Sequence, residues 1–153
     1  MKPLPNRLFA PEPNSKKTDC ALLMLRLCLG LTMLFGHGLG KLTNFGEKSE
    51  KFLDLFGIGS KASLGLAVFA EVFCSGLLVF GLLTRFAALN LVVTMFVAFG
   101  IFHGWALTGK NSGEMAFIYL AGYMVLLLAG PGRFSVDGAL FARPQKTATG
   151  PVN

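Results

Sequence analysis

The sequence predicts an all-α integral membrane protein, a four-helix bundle with a short interfacial helix between spans one and two. Three observations predict it. Of 153 residues, 53% are hydrophobic and only 14% are charged, where a soluble domain is about a quarter charged. The apolar residues gather into four runs, each near the ~20 residues that carry a helix across a ~30 Å hydrocarbon core. The basic residues behind the net charge of +6 sit in tails and loops around these runs. They are topology signals, and no soluble basic face remains for a nucleic acid.

Residues 1–19, MKPLPNRLFAPEPNSKKTD, are polar and Pro-rich without a helical period, which predicts a disordered tail and not a cleavable signal peptide. A membrane domain follows over about 20–138. Span one covers about 20–40 and is thinned by Gly30, Gly36, Gly38 and Gly40; the Gly36–Gly40 GxxxG spacing permits close helix approach and a homo-oligomer. The next loop mixes charge with Phe52, Leu53, Leu55, Phe56 and Ile58 between Glu50 and Ile58. That stretch is too short and too charged to span, so it is expected to lie at the interface as a short amphipathic helix, stopped by Gly57 and Gly59, and to cap any pocket between the spans.

Span two runs over about 62–83 with Glu71 near its centre. A tight turn at Thr84 and Arg85 leads into span three, about 86–107, and makes the two spans antiparallel neighbours. The polar loop TGKNSGE precedes span four, about 114–130, which Pro131 and Gly132 terminate. Residues 139–153 form a polar C-terminal tail. Four spans place both termini on one side. The tails and the second turn hold Lys2, Arg7, Lys16, Lys17, Arg85, Arg133, Arg143 and Lys146, against Lys41, Lys48, Lys51, Lys61 and Lys110 in the two opposite loops. The positive-inside rule then puts both termini in the cytoplasm.

Several polar residues lie where lipid cannot solvate them. Arg26, Gly30, Met33, His37 and Lys41 fall on one stripe of span one, and such a stripe must face protein or water. Glu71 is expected near mid-bilayer, about 13 Å from the outer surface, and Arg26 about 8–9 Å from the cytoplasmic one. A long arginine side chain could reach up to Glu71, as a register-fixing or functional ion pair, or snorkel to the headgroups. His37, Lys41, Glu71, His103, Glu114, Tyr119 and Tyr123 all belong to the outer half of the bundle. Proton-exchanging groups at one depth are what a redox or proton-coupled site needs, because histidine titrates near neutrality.

No Walker A, GxGxxG, HExxH or nucleophile-elbow sequence is present. Cys20, Cys28 and Cys74 form no CxxC pair and are expected to be small buried hydrophobes. Two histidines without a second pair give no expectation of haem or of a metal site.

In order along the chain, LRLCLGLTMLFGHGLGKL, AEVFCSGLLVFGLLTRFAAL, the FHG of span three and GEMAFIYLAGYMVLLLAGPGRFSVD carry a resemblance to the DoxX family of small four-span membrane proteins. It runs from about Leu22 to Asp137. The chain departs from the family pattern in having Cys74, Ser75 and Gly76 where a Gly-Gly pair is frequent, and GIGSKAS before span two. The resemblance implies a bacterial inner-membrane bundle related to the membrane subunit of thiosulfate:quinone oxidoreductase, working with a partner protein in the bilayer.

On that footing the expected role is a quinone-linked membrane subunit of a redox complex, with electrons supplied by a sulfur or partner-protein donor. Glu71, His37 and His103 would exchange protons with quinone oxygens, and Arg26, Lys41, Glu114, Tyr119 and Tyr123 would bind the quinone. A non-catalytic membrane scaffold and a small proton-coupled transporter using Glu71 are the competing expectations.

Overall fold

The computed structural model describes residues 16–55 and 57–141. Among them the chain is helical, without strands: α1 (Lys16–Thr43), α2 (Phe45–Lys51), α3 (Ser60–Phe80), α4 (Thr84–Phe102), α5 (Glu114–Ala129) and α6 (Val136–Phe141). Helices α1, α3 and α4 are each long and apolar enough to cross a membrane. Helix α5, with 16 residues, rises only ~24 Å and packs along α4.

Helices occupy the four expected places, with shifted ends. The described part of helix α1 reaches back to Lys16, inside the stretch expected to be a tail, and Asp19 anchors it there: its carboxylate accepts the Arg133 N–H at 3.0 Å. Of the expected tails over 1–19 and 139–153, residues 1–15 and 142–153 lie outside the described residues, while α6 extends to Phe141. Helix α3 ends at Phe80 and α4 at Phe102, before the expected 83 and 107. The short helix between the first two spans is present but covers Phe45–Lys51, where 50–58 was expected; residues 52–55 and 57–59 form an irregular strap of bends and turns instead.

The core is a ladder of Met33, Cys74, Leu78, Ala88, Leu91, Tyr123 and Leu126. Small residues such as Ala87 and Ala88, both fully buried, let helices approach where lipid gives no hydrophobic drive for association. Gly36 and Gly40 do not serve this purpose within the chain, since a Cβ on either would meet nothing within 4 Å. Gly38 does: a Cβ there would lie 2.6 Å from the Glu71 carbonyl oxygen. Cys74 is buried as expected, whereas Cys20 and Cys28 are exposed, because they lie on the face of α1 turned away from the bundle.

Arg26 organises the end of the bundle that holds both described termini. It is fully buried. Its guanidinium donates to the Leu78 carbonyl at 3.4 Å and to the Phe134 carbonyl. It does not pair with Glu71. Leu78 stands seven residues beyond Glu71 in α3, ~10 Å along the axis, and that carbonyl is the partner Arg26 meets at its own level. Gly81 (φ +69°) is required beside it, since a Cβ would strike both the guanidinium and Ser135.

Asp137 locks the same corner. Its carboxylate accepts the N–H groups of Leu83 at 2.9 Å and Thr84 at 2.8 Å, capping α4 from a distant part of the chain, and its own N–H donates to the Gly81 carbonyl at 2.9 Å. The segment after α5 is thus a latch across α1, α3 and α4.

Asp137→Ala should lower stability in detergent by roughly 1–2 kcal/mol through loss of the α4 cap, and a cycle with Arg26→Met should show coupling of ~0.5 kcal/mol or more. Gly38→Ala should cost roughly 1–3 kcal/mol by overpacking α1 against α3. Equilibrium unfolding of the purified variants checks each value.

Candidate functional site

Near the latch α1, α3, α4 and α5 pack together. Toward the other end the bundle divides: α1 stays against the start of α3, while α4 stays with α5, and α3 and α4 touch closely only from Phe69 onward. A cavity of about 470 Å³ fills the resulting gap, a size typical of small-molecule sites. Its walls are largely apolar and include Met33, Leu66, Ala67, Val93, Met95 and Ala98. Leu66 and Val93 also reach the outer surface of the helices, at 61% and 55% exposure. The cavity therefore has a mouth on the face that lipid covers.

The strap closes the end remote from the latch with Phe52, Leu55 and Ile58. Hydrogen bonds hold it there: Leu55 N–H donates to Ser63 Oγ at 3.0 Å and Gly59 N–H to Asp54 Oδ1 at 2.8 Å. The Phe52 ring lies 5.7 Å from that of Phe102, joining the strap to α4. The capping role expected of this stretch is filled by bends and turns rather than by helix.

Lys41 and Glu71 form the polar wall. The Lys41 ammonium grips both carboxylate oxygens, with Nζ 2.6 Å from Oε2 and an ion pair to Oε1. Glu71 keeps 4% side-chain exposure and Lys41 25%, so the carboxylate is the dry partner and the ammonium faces the open cavity. A buried carboxylate stripped of this partner would be costly. Both residues line the cavity with His37, His103 and Tyr119.

Three stretches of widened helix surround this wall: Leu34–Gly38 in α1, Phe69–Cys74 in α3 and Ala98–Phe102 in α4. His37 lies in the first and Glu71 in the second. The third is closed by the His103 N–H, which donates to the Ala98 carbonyl at 3.2 Å. An inserted π turn re-aims the side chains around it, and such turns recur at functional sites. Here each one carries or adjoins a polar group of the cavity.

The neighbouring groups are held by specific contacts. His37 meets Tyr119 edge to face at 5.8 Å, and Tyr119 stacks on Tyr123 at 5.9 Å. Tyr123 is fully buried below the cavity and donates its hydroxyl to the Leu29 carbonyl at 3.3 Å. The His103 imidazole Nδ1 lies 3.2 Å from the Asn111 carbonyl, and the Asn111 amide donates to the Phe102 carbonyl at 3.1 Å.

Of the residues expected to form the site, the structure brings together His37, Lys41, Glu71, His103 and Tyr119. Tyr123 supports Tyr119 from beneath. Glu114 is exposed at the start of α5 and is not part of the cavity wall. Arg26 belongs to the latch. The apolar lining from Leu66 and Val93, and the polar neighbours Ser63 and Asn111, were not singled out from the sequence, because an apolar residue that faces a cavity has the same composition as one that faces lipid.

Comparison with known proteins agrees with this architecture. The DoxX family profile matches residues 21–104, which take in the first three long helices, both halves of the Lys41–Glu71 pair, and His103. An uncharacterised protein of Haemophilus influenzae is 32% identical over 124 residues, covering 76% of this chain and 81% of the relative. No solved structure matches. With the family pattern spanning more than half of its length, this chain belongs to the DoxX family.

Proposed function

We propose that this protein is a membrane subunit of an oxidoreductase and binds a quinone in the cavity between its helix pairs, in a bacterial inner membrane with both termini cytoplasmic. The observation that carries the reading is the lipid-facing apolar cavity with its polar groups confined to one region: Lys41–Glu71, His37, His103 and Tyr119. Such walls suit an aromatic ring bearing a hydrocarbon tail, and the mouth beside Leu66 and Val93 gives that tail a path to the lipid.

The donor set also fits. An ammonium has three N–H donors, of which Glu71 engages those nearest its two oxygens, leaving Lys41 able to bind a ligand carbonyl at the more exposed side. His37 and His103 add imidazole nitrogens to the cavity wall, groups that can hydrogen-bond a ligand oxygen. Glu71 keeps the Lys41 ammonium oriented, so positive potential is already in place where negative charge would develop on a ligand oxygen. A bound quinone would supply the electron-accepting chemistry, taking up two electrons and two protons. Electrons would come from a partner protein or a sulfur donor.

Quinone extracted from the detergent-purified protein tests the proposal. The wild type should carry close to one quinone per chain. Glu71→Gln should lose most of it, and so should Ala67→Trp, which fills the cavity while leaving the ion pair intact. A folded wild type without quinone, even after incubation with a short-chain analogue, would overturn the reading and leave a membrane scaffold as the better account. Retention of quinone by a folded Ala67→Trp variant would place any bound quinone outside this cavity.

A further inference from the structure

Next to the apolar cavity lies a second, shallower hollow of about 300 Å³, lined by Lys41, Glu47, Lys48, Lys51 and Phe52. Lys41 and Phe52 line both spaces. Three lysines therefore converge on one hollow that contains a single carboxylate, Glu47. Among the described residues, no ion pair engages Lys48 or Lys51.

The location limits what can bind. Helix α2, which carries Lys48 and Lys51, follows within two residues of the end of the membrane-crossing helix α1, so the hollow lies at headgroup level. Exposed Leu42 and Leu53, at 47% and 42% exposure, flank it in sequence and add apolar surface at that level. Lysines beside exposed leucines suit a ligand that is anionic at one end and apolar at the other.

We propose that Lys48 and Lys51, with Lys41 behind them, bind the phosphate of an anionic phospholipid, whose acyl chains lie along Leu42 and Leu53. The headgroup then sits against the Phe52 side of the strap and seals the polar end of the apolar cavity. Because Lys41 is committed to Glu71, the other two lysines carry most of the attraction. This site does not depend on which ligand occupies the larger cavity.

The test is lipid binding to the full-length protein in a neutral detergent, followed by native mass spectrometry and thermal unfolding. Phosphatidylglycerol should bind and raise the melting temperature; phosphatidylcholine with the same chains should bind at least about tenfold more weakly. A K48Q/K51Q double variant should weaken phosphatidylglycerol binding by roughly tenfold or more, at about one kcal/mol per lysine, and Glu47→Gln should tighten it. Equal binding of the two lipids would overturn the proposal, as would an unaltered affinity in the double variant. If millimolar inorganic phosphate alone reproduces the stabilisation, the hollow is a small-anion site and the lipid assignment fails. Should the double variant not fold, the lipid preference of the wild type and the direction of the Glu47→Gln effect still decide the matter.

Discussion

A carboxylate that is almost fully buried inside a membrane-crossing helix needs a cation brought to it, and the arrangement of this bundle follows from that need. Glu71 lies on α3 and Lys41 near the end of α1, so their pairing ties the first two long helices together at one depth. Gly38 makes the approach feasible, because only a residue without a side chain lets the α1 backbone come so close to the Glu71 carbonyl. With α1 held against α3 in this way, and α4 against α5, the gap between the pairs becomes the cavity. The ion pair is therefore a structural tie and a chemical group at once, and its more exposed member faces the space where a ligand would bind.

The opposite end obeys a different constraint. There the chain must satisfy the carbonyls at the end of α3 and the free N–H groups at the start of α4 where the bilayer offers few partners. Arg26 supplies donors to the first set and Asp137 acceptors to the second. Charge is thus concentrated at two levels, a latch where the described termini meet and an ion pair beside the cavity, with an apolar core between them.

The sequence made the helices legible because lipid imposes a strong requirement: long apolar runs must be helices, and short connections must make them antiparallel. It also exposed the candidate site, since His37, Lys41, Glu71 and His103 are expensive to place in a membrane. It could not settle pairing. Arg26 and Lys41 lie on the same stripe of α1, and the choice between them depends on the stagger of α1 against α3, which the local sequence does not encode. The π turns were equally hidden, because the apolar composition of LFGHG or FAEVFC is compatible with an ordinary helix. The strap was legible as a cap but not as an irregular segment, because its alternation of Phe, Leu and charge suits an interfacial helix equally well.

Glu71 depends on Lys41 and not on Arg26. Two double-mutant cycles measured by equilibrium unfolding in detergent test it directly: Glu71→Gln with Lys41→Gln, and Glu71→Gln with Arg26→Gln. Coupling of roughly 1–3 kcal/mol is expected in the first cycle and additivity within ~0.5 kcal/mol in the second. Additivity in the first, or strong coupling in the second, would contradict it.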